Sequence, residues 1–335
     1  MPLALFALTI GAFAIGTTEF VIVGLVPTIA QQLSISLPSA GLLVSIYALG
    51  VAIGAPVLTA LTGRMPRKQL LLALMVLFTA GNVLAWQAPG YETLILARLL
   101  TGLAHGVFFS IGSTIATSLV AKEKAASAIA IMFGGLTVAL VTGVPFGTFI
   151  GQHFGWRETF LAVSILGVIA LISSLLLVPN NIPGRASASL RDQMKVLTHP
   201  RLLMIYAITA LGYGGVFTAF TFLAPMMQEL AGFSPSTVSW ILLGYGVSVA
   251  IGNVWGGKLA DKHGAVDVAS GLNIAAFNIG IALGSIVGGQ TVERYGLAQT
   301  PWIGAVIVLV ALLLVVLSGR LDKSPRRSAA VSLEG

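Results

Sequence analysis

Residues 3–27 read LALFALTIGAFAIGTTEFVIVGLVP, a run whose only charged residue is Glu19. A helix rises 1.5 Å per residue and bilayer hydrocarbon is about 30 Å thick, so about 20 mostly apolar residues cross it. The run is long enough. No basic segment precedes it and nine comparable stretches follow, at 40–63, 69–87, 92–120, 125–151, 157–178, 201–228, 237–259, 268–290 and 300–319, so it reads as a membrane helix and not as a secretory signal. Barrel strands would be about 10 residues long with alternating polarity. The expected fold class is therefore all-α and polytopic.

Composition agrees. Of 335 residues, 56% are apolar and 9% charged, against about 45–50% and about 25% in a soluble domain. Soluble chains beyond about 250–300 residues split into domains and do not enlarge one core, so the solvent for this much apolar surface is lipid. The chain has no cysteine, which excludes disulfides, a thiolate nucleophile and cysteine-ligated metals.

Net charge is +7, and its placement explains it. Fifteen basic residues, from Arg64, Arg67 and Lys68 through Lys122, Lys124, Arg185, Lys258 and Lys262 to Arg327, fall at one set of span ends, while Arg157 and Arg294 fall at the other. Loops rich in Lys and Arg stay in the cytoplasm, so both termini are expected there. Nothing basic is interleaved with aromatics as in a nucleic-acid groove, and no nucleic-acid partner is expected.

The polar stretch 179–200 divides six spans, residues 1–178, from four, residues 201–319, with a tail at 320–335. Tyr47 with Val51-Ala52-Ile53-Gly54 recurs as Tyr245 with Val249-Ala250-Ile251-Gly252, an offset of 198 that Pro27 and Pro225 share. A ladder of Gly143, Gly147 and Gly151 recurs as Gly280, Gly284 and Gly288 at an offset of only 137. The drop of 61 residues, about two helices with their loops, places a shortfall between His263 and Asp267. Residues left out with the numbering closed up, an engineered deletion and a natural short form all account for it. The join Ala265-Val266-Asp267 keeps neither linker nor turn chemistry, which favours the first two.

Two six-helix repeats joined by a basic linker resemble the major facilitator superfamily of secondary transporters. Gly257-Lys258-Leu259-Ala260-Asp261-Lys262-His263-Gly264 is similar to the family's loop signature G-x-L-a-D-r-x-G. In the first half, Leu61 to Lys68 keeps the cations but has Gly63 in place of the aspartate and Pro66 in place of the glycine. The resemblance makes Arg64, Arg67, Lys68, Asp261 and Lys262 a gating loop. Thr17-Thr18-Glu19-Phe20, Arg98 with Gly102, Gly143-Val144-Pro145-Phe146-Gly147 and Gly155-Trp156-Arg157 resemble the twelve-helix drug:proton antiporters, and among them the arabinose-efflux-permease-like transporters of the bacterial inner membrane. Val144 departs from the glycine that normally precedes the proline. The resemblance implies proton antiport, a monomer, and export of a sugar, a sugar-like metabolite or a drug.

An ionisable residue inside a span is costly and marks function. Glu19 lies eight residues before Pro27, and Arg98 six residues after Glu92, so both sit about 9–12 Å below one surface. Equal depth allows a salt bridge, and making or breaking it would change the carboxylate's proton affinity. A static pair that fixes packing is the alternative. His105 continues the Arg98 face by two turns, as a packing residue or as an extension of the polar track. Tyr245, Asn273 and Asn278 are candidates for the substrate cavity, beside Asn82, Asn253 and Gln290, and Phe108, Phe109, Tyr213 and Phe217 are rings on which a sugar or drug would stack. The ladders let helices approach closely, and Pro145 removes a backbone bond, so Gly143, Pro145, Gly147, Gly151, Gly280, Gly284 and Gly288 serve packing or a hinge.

Gly252 to Leu259 nearly fits the phosphate-binding G-x-x-x-x-G-K-[ST], but Leu259 replaces the hydroxyl and the segment ends a membrane helix, so no ATP-driven pump is expected. The four histidines are scattered, so no metal or other cofactor is expected, and no nucleophile set suggests an enzyme. A transport-inactive or receptor-like protein of the same fold, lacking two helices, is the rival reading.

Overall fold

The computed structural model describes residues 2–182, 200–262 and 271–321. Among these, ten helices are long and apolar enough to cross a membrane: α1 (Leu3–Gln32), α2 (Leu37–Leu61), α3 (Arg67–Trp86), α4 (Tyr91–Ser118), α5 (Lys122–Phe154), α6 (Trp156–Leu177), α7 (Leu202–Leu230), α8 (Pro235–Asn253), α9 (Asn273–Tyr295) and α10 (Leu297–Ser318). The helix of α8 continues to Lys262. The join at His263 to Asp267 lies outside the described residues.

Local chemistry ends the helices where turns are needed. Ser36 caps α2 by accepting from the Ser39 amide, with Pro38 in the first turn. Gly155 at φ 106° makes the sharp reversal between α5 and α6, a backbone that a side chain would strain. Pro27 does not end α1 as the sequence suggested: the helix runs through it to Gln32. The chain bends elsewhere, at π turns beside other prolines. One, Gly54–Leu58, contains Pro56, a second, Ala139–Gly143, ends two residues before Pro145, and a third, Met226–Leu230, follows Pro225. A missing N–H and a ring clash with the preceding turn are what such a bulge accommodates.

Packing follows the glycines. A Cβ on Gly143, Gly147 or Gly151 would run into Thr17, Val21 or Leu25, so the first ladder seats α5 on α1. A Cβ on Gly280, Gly284 or Gly288 would strike the carbonyls of Ala210, Gly214 or Thr218, so the second seats α9 on α7. The two repeats thus use one device for one helix pairing. Across the halves, α2 lies along α9 and α8 along α5.

Buried apolar contact between the two halves is concentrated at one end. One apolar cluster runs from Phe20 to Ala30 on α1, takes in Leu43 and Leu94, and joins Phe217, Phe220, Val238 and Ile281 of the second half. The other, with Leu5, Leu8, Ile15, Leu71, Phe78 and Phe108, has all its buried members between Ala4 and Val178 and meets the second half through the half-buried Ile274 of α9. Polar clasps reinforce the joined end: Ser45 Oγ donates to the Ala282 carbonyl at 3.0 Å, Ser285 Oγ to the Gly41 carbonyl at 2.9 Å, and Ser239 Oγ to Gln152 Oε1 at 3.3 Å.

The shortfall of two helices leaves its mark on α8. Its repeat counterpart α2 packs closely on α4, where a Cβ on Gly54 would meet Leu103, whereas Gly252 at the matching position has nothing within 4 Å. Trp240 and Trp255 of the same helix are exposed.

Candidate functional site

Between the halves, below the joined end, lies a cavity of about 300 Å³. Its lining runs from Glu19 and Phe20, midway along α1, to Asn253 and Asn273 at the opposite ends of α8 and α9. The joined end is packed, so the cavity faces the side on which α1 and α7 begin.

Glu19 is 5% exposed, and Arg98 is buried beside it. The helices α1 and α4 bring the two to one depth, but they do not form the expected side-chain pair. Arg98 donates from Nη1 to the Thr18 carbonyl at 2.7 Å, from Nη2 to the Glu19 carbonyl at 3.4 Å and from Nε to the Leu43 carbonyl at 3.3 Å. Its guanidinium lies over the Tyr47 ring at 4.2 Å. The five donors of a guanidinium form a rigid fork, and the helix rotation presents main-chain oxygens to that fork. Arg98 thereby ties α4 to α1 and α2.

The carboxylate turns to another residue. Glu19 Oε2 is 3.8 Å from His105 Nδ1, and that nitrogen shares a 3.0 Å hydrogen bond with the Tyr47 hydroxyl. His105 is thus part of the Glu19 group, in the cavity wall and beside Phe109, with ring centroids 5.0 Å apart. Glu19 Oε1 is buried without a hydrogen-bond partner.

Tyr245, Asn273 and Asn278 all line the cavity. Tyr245 stacks on Phe220 at 4.4 Å, and Asn273 Oδ1 accepts from Thr209 at 3.3 Å. Asn278 donates to the Ile274 carbonyl at 3.0 Å, while its own Oδ1 is buried without a partner. Asn253, Phe109, Tyr213 and Phe217 also face the cavity. Three residues do not. Asn82 is bound to Thr18 and the Phe78 carbonyl, Phe108 packs in the core, and Gln290 is exposed. Apolar or polar character alone does not fix which way a helix turns a side chain.

Arg64, in the loop after α2, is exposed, while Arg67 and Lys68, which open α3, are buried and half-buried. The side chains of Asp261 and Lys262 lie outside the described residues. Sequence reasoning missed Tyr47 as a site residue, although its recurrence as Tyr245 was a signal, and it missed Phe20, Phe133 and Phe277, which carry none.

The model of the family described as Major Facilitator Superfamily matches residues 8–268. The chain is similar to the uncharacterized MFS-type transporter YtbD of Bacillus subtilis, 46% identical over 386 positions covering 97% of this chain and 98% of that one. Such an alignment leaves about 61 positions of the relative without a counterpart in 335 residues, the size of the shortfall seen in the repeat. It is similar also to the inner membrane transport protein YdhP of Escherichia coli K12, 46% identical over 77% of this chain and 66% of that one. A chloramphenicol resistance protein of Streptomyces lividans is 35% identical over 79% of this chain and 68% of its own length. Among solved structures, a peptide transporter POT in complex with alafosfalin aligns with a TM-score of 0.71 at 12% identity, covering 96% and 95% of the two chains, which shows the fold alone.

Proposed function

Since the chain belongs to the Major Facilitator Superfamily, a family of membrane transporters, we propose that it exports a small molecule across the bacterial inner membrane by alternating access, in exchange for protons. Both termini are cytoplasmic in this reading, and the cavity is open to the cytoplasm. The observation that carries it is the buried Glu19 carboxylate in the cavity wall, 3.8 Å from His105. An ionisable group at that depth is costly to keep unless it works, and a carboxylate that both proton and cavity reach links two movements. Glu19 is the coupling residue and His105 its partner. Arg98 acts one step back, by fixing the α1 backbone beneath Glu19.

Cargo in this reading is a sugar-like metabolite or a drug. Similarity to a chloramphenicol resistance protein supports the drug side. Rocking of the halves opens the joined end and closes the other, with the cations of the loop after α2 at the gate.

The test is transport in proteoliposomes with a pH gradient, acid inside, as the sole driving force, and a pH-sensitive dye reporting proton exit when candidate sugars or drugs are added outside. Wild type is expected to release protons on addition of cargo, and Glu19→Gln to lose that coupled release. Full coupled release in Glu19→Gln overturns the assignment.

A second reading, a transport-inactive relative, is favoured by the open space at Gly252. Cargo movement in the ten-helix chain overturns it.

A further inference from the structure

A second cavity, of about 390 Å³, lies in the flank of the first half, where α5 and α6 meet α1, and shares no lining residue with the one that holds Glu19. Its floor is Thr17 of α1 with Gly143 and Gly147 of α5, all buried, and its rim is Phe146 on α5 and Ile165 on α6, which are 65% and 55% exposed. The floor is deep because the first glycine ladder puts no side chain there. The groove therefore opens on the outer surface of the bundle, where a membrane protein meets lipid.

Its depth and chemistry restrict what fills it. Thr159 is on the first turn of α6, which begins at Trp156, and Thr142 precedes by three turns the end of α5 at Phe154. The groove thus runs from about 5 to 18 Å below the joined end at 1.5 Å per residue, the depth of one leaflet in hydrocarbon about 30 Å thick. Every hydroxyl that lines it is spent: Thr17 donates to the Phe13 carbonyl at 2.8 Å, Thr159 to the Gly147 carbonyl at 2.8 Å and Thr142 to the Val138 carbonyl at 2.9 Å. The other lining residues are glycine or apolar. A guest with a charge or hydroxyl would leave it unpaired, and an empty groove would forfeit dispersion contacts along its walls. The volume falls within the range of about 300–1,000 Å³ that holds small ligands.

We infer that this groove is a lipid site, which holds one acyl chain of a phospholipid from the leaflet at the joined end. Such a chain is the flexible, wholly apolar guest that the bilayer supplies at that depth. Its polar end stays outside, level with His153, which is exposed in the last turn of α5. Bound there, the chain packs on Thr17, two residues along α1 from Glu19, and braces the contact of α1 with α5 from the bilayer side. The site stands whatever the cargo is. Ordinary boundary lipid is the contrast: α10 exposes Trp302, Val306 and Leu309 at the same depth, an apolar surface on which chains only slide past.

The experiment is photolabelling of the full chain in vesicles of phosphatidylethanolamine and phosphatidylglycerol that contain a trace of phosphatidylcholine with a diazirine midway along one acyl chain, the adducts being mapped by mass. Adducts on Phe146, Ile165 and Phe13 are expected to outnumber those on Trp302, Val306 and Leu309 by at least about fivefold, since a chain walled by protein keeps its contacts and a sliding one does not. Ala162→Phe, which fills the groove from α6, should remove that excess and leave the α10 adducts unchanged. Ala305→Phe, on the exposed face of α10, should leave the groove adducts as they are. Equal labelling of the two surfaces in the wild-type chain means boundary lipid alone and overturns the inference without recourse to a variant. Stronger groove labelling by a free fatty acid with the same diazirine overturns the choice of phospholipid. Chloramphenicol is expected to leave the groove adducts in place, and their selective loss on its addition would make the groove a drug site and overturn the acyl-chain assignment.

Discussion

Arg98 donates to the Thr18 carbonyl at 2.7 Å, and not to the carboxylate on the next residue along α1. With two further carbonyls and the Tyr47 ring as partners, the guanidinium is a tie between three helices. Lysine has one charged atom and no fork. Arg98→Lys should therefore lower stability by about 1.5–3 kcal/mol, the range for lost bonds to a charged group. Glu19→Gln keeps the carbonyl that Arg98 uses and should change stability by less than about 1 kcal/mol. Thermal unfolding of both variants in the same detergent checks this, and an equal loss in both would mean that the side chains are paired after all.

The second glycine ladder makes a prediction with an internal control. A Cβ at Gly284 would strike the Gly214 carbonyl, whereas one at Gly244 meets nothing within 4 Å. Gly284→Val should cost at least about 1–3 kcal/mol through forced separation of α7 and α9. Gly244→Ala should be neutral or stabilising by up to about 1 kcal/mol, since alanine favours a helix. Thermal melts again decide, and equal tolerance at the two sites would contradict the packing.

Alternating access requires the joined end to part. Ser45 and Ala282 face each other there across α2 and α9, and the chain has no cysteine of its own. Joining Ser45→Cys to Ala282→Cys with a short bifunctional thiol reagent should stop transport in proteoliposomes, while either single variant treated alike keeps it. Transport that persists after complete cross-linking, scored by mass, would show that this end does not open.

Restoring the shortfall is the fourth test. Insertion of the corresponding stretch of the 46%-identical relative, about 61 residues, between His263 and Asp267 should cover the α8 flank at Gly252 and raise the melting temperature. No gain in stability would mean that lipid already satisfies that flank.

Much of this was legible in the residues. Ten spans follow from run length, because lipid leaves a chain few options for its backbone, and the offset change from 198 to 137 gave the size of the shortfall, about the number of positions by which the alignment with the Bacillus relative exceeds this chain. Depth was legible too, since 1.5 Å per residue put Glu19 and Arg98 at one level. Rotation about the helix axis was not. It decides whether Arg98 reaches a carboxylate or a carbonyl, and whether Phe108 or Phe109 faces the cavity, and neighbouring helices set it. The π turn at Ala139–Gly143 was half legible, for Pro145 marks a disturbed helix without saying in which turn the disturbance falls.

The clasps at the joined end pair serine hydroxyls with carbonyls and an amide, and no charge takes part. Exposed ion pairs weaken as salt rises, over a Debye length of about 8 Å at physiological ionic strength, but neutral bonds of this kind are exchanged for equivalent bonds to water when they part. If the proposed rocking parts this end, it is expected to do so with the same ease in dilute and in saline surroundings. In the proposed exchange of cargo for protons, Glu19, the one carboxylate among the described lining residues, chooses when that end opens, so the outer medium is expected to act through its pH far more than through its ionic strength.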